Sequence, residues 1–182
     1  MPHLFPPWAD SLARGALGGL AVVAVGVPAL AMALVRSPWV THRGQQIEQP
    51  LPFDHRHHVR DDGIGCLYCH WEAERTRYAG VPSTSVCMGC HAQIRTESPL
   101  LDGLRASAWR GEPIRWRRVH DLPDFTFFDH GSHVHAGVAC ATCHGDVGGM
   151  AAVVRVAPLT MQWCVGCHRE RGASTDCTAC HR

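Results

Sequence analysis

The hydrophobic pattern divides the chain into two unequal parts. From Ala16 to Val35 run 20 consecutive residues without a charge, bounded by Arg14 and Arg36. A helix needs about 20 apolar residues to cross the hydrocarbon core, so the pattern predicts a transmembrane helix over 16–35. Trp8 and Trp39 stand outside its two ends, where aromatic side chains favour the headgroup region. A cleaved signal peptide is the rival reading, because Ala31-Met32-Ala33 offers an A-x-A-like site. The apolar run is longer than an ordinary signal core, which favours a retained signal anchor. Gly15 and Gly19 form a GxxxG, and Gly18, Gly26 and Pro28 lie in or beside the span; such residues are tolerated where another helix packs closely. Beyond the span neither helical nor strand periodicity is sustained. The expectation there is coil and short helical turns with little credible strand.

What replaces periodicity is repetition. Phe53-Asp54-His55-Arg56-His57-His58-Val59 precedes Cys66, and Phe128-Asp129-His130-Gly131-Ser132-His133-Val134 precedes Cys140. Both read F-D-H-x-x-H-V, with His58 eight residues before its cysteine and His133 seven before its own. This is an internal duplication. It suggests segments 1–15 (an N-terminal cytoplasmic piece), 16–35 (the anchor), 36–52 (a linker), 53–119 and 120–182.

Composition supplies the chemistry. All ten cysteines fall in Cys-x-x-Cys-His: Cys66/Cys69/His70, Cys87/Cys90/His91, Cys140/Cys143/His144, Cys164/Cys167/His168 and Cys177/Cys180/His181. In this motif two thiols add to the vinyl groups of a haem, and the adjacent histidine becomes the proximal iron ligand. Structural zinc sites take four ligands, hence two Cys-x-x-Cys pairs, and five pairs do not divide evenly. A disulfide framework would leave the five histidines unexplained. The first repeat thus carries two motifs and the second three, and 130 residues from Phe53 to Arg182 serve five haems. So little chain cannot build an ordinary core, and the expected fold is that of a multihaem cytochrome c. Coil and short helices would wrap five haems, with one N-terminal transmembrane helix.

Each low-spin haem needs a distal ligand too. The candidates are His55, His58, His130 and His133 from the repeats, and His120 from Arg118-Val119-His120-Asp121. Met161, three residues before Cys164, and Met150 are alternatives for one position. His3 and His42 flank the span and read as structural or interfacial, and His57 and His135 as spare. Net charge is +1, so the bare chain gives no argument for nucleic acid. With ionised propionates the total becomes roughly −4 oxidised and about −9 reduced. All 17 basic residues are arginine, whose fork suits propionates; Arg105, Arg110, Arg115, Arg117 and Arg118 cluster between the second and third motifs. Arg14 and Asp10 before the span, and Arg36 and Arg43 after it, do not orient it. The motifs do, because c-type haem attachment resembles maturation outside the cytoplasmic membrane, placing the bulk of the chain on the periplasmic side.

The F-x-H-x-x-H element resembles small multihaem cytochromes of the c3 and c7 type, in which the first histidine ligates the haem that follows and the second a later one. The order over the whole chain is more specific. An anchor precedes Pro52-Phe53-x-His55-x-x-His58-Val59 and two haem motifs; then come Trp116-Arg117-Arg118-Val119-His120-Asp121-Leu122-Pro123-Asp124, Phe128-x-His130-x-x-His133 and three motifs. That order is similar to the pentahaem cytochrome subunit of alternative complex III, a quinol-oxidising complex of respiratory or photosynthetic membranes. The resemblance implies multi-spanning quinol-binding subunits, an iron–sulfur subunit upstream, and a monohaem cytochrome c or oxidase downstream, with no catalysis by this chain alone. Two other classes are weighed against it. A stand-alone tetrahaem-type quinol dehydrogenase would hold a haem near the membrane, whereas the first motif lies 30 residues beyond the span. A multihaem reductase would need an open iron, often with an altered motif, and all five motifs are regular.

Overall fold

The computed structural model describes residues 5–182, so His3 lies outside the described residues. The chain forms two compact units, Met1–His42 and Arg43–Arg182. The first is built on helix α1, Pro7–Arg36, about 45 Å long at 1.5 Å per residue. It overruns the apolar stretch because its polar first turns are good helix: proline enters at the first turn, Asp10 complements the N-terminal dipole, and Asp10 pairs with Arg14 at 3.0 Å. It stops before Pro38, which disfavours helical backbone at Ser37; Ser37 is extended (φ −67°, ψ 153°). Among the described residues this is one helix long and apolar enough to cross a membrane. A single short turn, α2 (Pro38–Thr41), follows.

The second unit is a set of short helical pieces: α3 (Cys66–Cys69), α4 (Thr84–His91), α5 (Asp102–Arg110), α6 (His130–His135), α7 (Cys140–His144), α8 (Met161–Glu170) and α9 (Cys177–Cys180). Between them lie a π-helical turn at Arg56–Asp61 and 3₁₀ turns at Trp71–Glu74, Pro99–Leu101 and Val147–Gly149. Two isolated bridges, Arg43 with Arg155 and Gln46 with Val154, are the β pairing among the described residues. The residues just after His42 thus belong to this unit, and Gln49 extends the attachment by exchanging two 2.9 Å bonds with the backbone of Arg117.

Only Ala73, Leu104, Ser107, Gly131 and Ala157 are buried among the described residues. Side chains alone therefore form no ordinary core here, as the ratio of chain to motifs anticipates. Leu104 and Ser107 mark the local packing of α5 on α4, where Ser107 Oγ meets Thr84 Oγ1 at 2.9 Å.

The two repeats differ in one instructive way. The first has one more residue between its second histidine and its cysteine, and the wide π-helical turn absorbs it. Ile64 N–H donates to His58 O, six residues back, while the corresponding Val138 N–H donates to His133 O, five back. Both chains then enter Cys-x-x-Cys in extended backbone, at Gly65 and Ala139.

Candidate functional site

Every motif begins or completes a helical turn, and that places its residues. Residues three and four apart share a face of a helix, so each cysteine pair and its histidine project to one side. No disulfide joins any of the ten cysteines.

The repeated F-x-H-x-x-H explains itself in the geometry. Phe53 lies edge-on to His55 at 4.7 Å and stacks on His58 at 4.5 Å. Phe128 meets His130 edge-on at 4.7 Å and His133 at 4.5 Å. One aromatic ring therefore props two imidazoles in different orientations, identically in both repeats. Asp129 caps α6 by accepting from Ser132 N–H at 2.8 Å, and Asp54 accepts from Arg56 N–H at 2.9 Å. The Arg56 side chain beside Asp54 holds that carboxyl down at about 2.

The ten histidines named from the sequence are all half-buried. Six of them donate Nδ1–H to a backbone carbonyl: His58 to Asp54 (3.0 Å), His70 to Gly80 (3.0 Å), His130 to Arg77 (2.9 Å), His133 to Asp129 (2.7 Å), His168 to Ser174 (2.5 Å) and His181 to Phe125 (3.1 Å). A carbonyl only accepts, so Nδ1 carries a proton and Nε2 is the nitrogen turned away from the backbone, the orientation a metal-ligating histidine requires. Buried ring nitrogens without a partner remain on His55 (Nδ1), His91 (Nδ1) and His120 (Nε2). Three of the rings are also pushed toward the neutral form. Burial, then the nearby His144, Arg155 and His130, press His120 down to about 4. Burial, then His70 and His58, lower His55; burial, then His130 and His70, lower His144.

Spacing gives the sharpest test of fit. With metal–nitrogen bonds of about 2 Å and roughly 1.1 Å from Nε2 to the ring centre, two imidazoles sharing one iron would have centres about 6.2 Å apart. His58 and His91 lie 6.1 Å apart, His130 and His144 6.4 Å, and His133 and His168 6.0 Å. Haem c therefore fits the residues present. His120 is placed differently: its ring contacts His144 at 4.4 Å, too close to share an iron with it.

Some of the sequence-named residues have other company. His57 lies between the carboxylates of Asp61 and Asp62 (3.7 and 3.6 Å), and His42 ends α2 in left-handed backbone. Met150 is half-buried near Gly145, and Met161 is 73 % exposed. In the arginine cluster, Arg105 pairs with Asp102, Arg110 with Glu112 and Arg118 with Asp121. Sequence reasoning passed over Arg77 and Arg155, whose Nε atoms are buried without a partner and so suit a propionate. Their signal was only proximity to the motifs. It also passed over the backbone carbonyls that orient the imidazoles; even His135, read as spare, donates Nδ1–H to Gly131 O at 2.7 Å.

Residues 126–182 match the family model for cytochrome c7 and related cytochrome c. Over this segment the chain resembles cytochrome c7. Such a segment implies covalently bound haem c, in keeping with the half-buried imidazoles and paired cysteines it contains. The chain is 36 % identical to the menaquinone reductase multihaem cytochrome c subunit of Nitratidesulfovibrio vulgaris, over 71 % of this chain and 60 % of that protein. It is 28 % identical to the high-molecular-weight cytochrome c of the same organism, over 64 % of this chain and 26 % of that one. The chain thus spans less than two thirds of the length of either relative.

Proposed function

We propose that this chain is a membrane-anchored pentahaem cytochrome c that passes electrons within a quinol-linked complex. The observation that carries it is the trio of facing histidine pairs at 6.0–6.4 Å, each joining a repeat histidine to a motif histidine. On this reading Cys66, Cys69, Cys87, Cys90, Cys140, Cys143, Cys164, Cys167, Cys177 and Cys180 hold five haems. His70, His91, His144, His168 and His181 are proximal. His58 closes the site of His91, His130 that of His144 and His133 that of His168, while His55, on the same turn as His58, serves His70. The remaining distal place falls to His120, with Met161 or Met150 as its alternatives.

Bound haem c supplies reversible one-electron chemistry at iron. The chain's contribution would be to hold that group through paired cysteines and oriented imidazoles, to offer two protein ligands to each iron, and to surround it with half-buried side chains. Segments 53–119 and 120–182 act as a two-haem and a three-haem unit, carried on a 16–35 anchor with the haems on the periplasmic side.

The order of motifs supports the finer assignment, a subunit of alternative complex III with multi-spanning quinol-binding subunits, an iron–sulfur subunit and a monohaem cytochrome c or oxidase as partners. A second reading reverses the direction: electrons would enter here and leave toward menaquinone, which the name of the 36 % identical relative favours. In both, quinone chemistry belongs to a neighbour. The span carries no charged residue from Ala16 to Val35 to take a quinol proton, and intramembrane ionisable groups normally mark such paths.

The test compares the intact complex with this subunit purified alone, haems and anchor in place, under excess menaquinol in a stopped-flow spectrophotometer. Rapid haem reduction is expected in the complex only. Equally fast reduction of the isolated subunit would overturn the assignment and make the chain a quinol dehydrogenase in its own right.

A further inference from the structure

A tandem duplication is most simply pictured head to tail, with the last motif of one copy beside the first of the next. The packing of this chain runs otherwise. The turn after motif 1, Trp71–Glu74, packs on α6, the histidine helix of the second repeat. The turn after motif 3, Val147–Gly149, packs on Arg56–Asp61, the histidine turn of the first. Each repeat therefore offers the other the same two elements, in exchange. Such reciprocity, element i against j and j against i, is the signature of a two-fold relation.

Individual contacts follow the same rule. On one side His130 N–H donates to Arg77 O at 3.3 Å and Gly131 N–H to Thr76 O at 3.1 Å. On the other, Arg60 pairs with Asp146 at 2.8 Å, and a Cβ on Gly148 would lie 3.0 Å from Val59. At the centre, equivalent residues meet: the Cys66 and Cys140 thiols lie within hydrogen-bonding reach of each other. Burial first, and then that Cys66 thiol, push the Cys140 thiol up. Outward from this junction, His58 of the first repeat faces His91 of motif 2 at 6.1 Å, His133 of the second faces His168 of motif 4 at 6.0 Å, and Phe127 N–H donates to Cys180 O of motif 5 at 2.6 Å.

We infer that the two repeats join head to head about a pseudo-two-fold axis between motifs 1 and 3, so that the five attachment sites stand in the spatial order 2–1–3–4–5. This rests on the pentahaem reading above. Cys66 and Cys140 then hold the two central haems toward each other across the junction. Cys87/Cys90 and Cys177/Cys180 hold the two ends, where redox partners meet the chain. Motif 5 lies outside the symmetric four and makes the two ends unlike.

Two measurements on the mature, full-length protein test this. The first is its structure by electron cryo-microscopy within the complex, reading the shortest porphyrin-edge separations. The expected neighbours are 2–1, 1–3, 3–4 and 4–5; a direct 2–3 contact, or a 1–3 pair further apart than 2–3, would overturn the order. The second is electron paramagnetic resonance of two variants. Cys87→Ala/Cys90→Ala, which removes an end, should leave the signal of the His144-ligated haem unchanged, whereas Cys66→Ala/Cys69→Ala should shift or sharpen it. The opposite pattern sinks the inference. A haem count below five in unmodified protein would instead defeat the underlying reading.

Discussion

Replacing His133 by alanine should open one haem and only one. In the structure His133 faces His168 across 6.0 Å, stands against Phe128 at 4.5 Å, and donates Nδ1–H to Asp129 O at 2.7 Å. Alanine removes all three interactions. The lost hydrogen bond costs about 1 kcal/mol and the truncated, half-buried ring about as much again, too little to unfold a haem-filled unit. His168 keeps its own bond to Ser174 O, so on the proposed pairing the haem would stay attached and gain an open ligand position. Reduced wild-type protein should bind no carbon monoxide, and His133→Ala should bind one equivalent per chain by difference-spectrum titration. His57→Ala is the control, because that ring sits between the carboxylates of Asp61 and Asp62 and should leave binding at zero. If His133→Ala retains five attached haems yet takes up no carbon monoxide, the 6.0 Å pair is not an axial pair and the pairing scheme fails.

Three more outcomes follow from the same geometry. His120→Ala should also open a single haem, and an unchanged spectrum would move that distal place to Met161 or Met150. Gly131→Arg, which copies the residue of the first repeat, should destabilise by about 1–3 kcal/mol and lower Tm, because a Cβ there already lies 3.3–3.5 Å from Asp129 Oδ1, Glu74 O and Thr76 O. The reciprocal Arg56→Gly removes an exposed pair with Asp54 and should change Tm far less; equal effects would contradict the inter-repeat packing. Replacing residues 1–36 by a cleavable export signal should release a water-soluble haem unit with an unaltered visible spectrum, checked by membrane fractionation, since 43–182 is compact by itself.

Much of the candidate site was legible in the sequence because its signals are local. Cys-x-x-Cys-His needs only one helical turn, and F-x-H-x-x-H needs only one ring to prop two imidazoles, so short strings carry both. The long apolar helix was legible for the same reason, though its first turns were not: Pro7, Asp10 and Arg14 stabilise helix outside the apolar run. The carbonyls of Gly80, Ser174 and Phe125 that orient His70, His168 and His181 left no trace in residue type, because every residue has a carbonyl. The partnerships across the chain were hidden too. Nothing in Arg60, Asp146 or Gly148 taken singly announces that the repeats exchange elements. The π-helical turn was readable only in hindsight, from the one-residue difference between His58–Cys66 and His133–Cys140.

The central claim is five covalently attached, fully ligated haems, and one measurement reaches it most directly. Intact-mass analysis of the denatured, fully matured chain should show an increment of five haem groups over the polypeptide. An increment of four or fewer would contradict the account, because at least one Cys-x-x-Cys-His would then serve some other purpose.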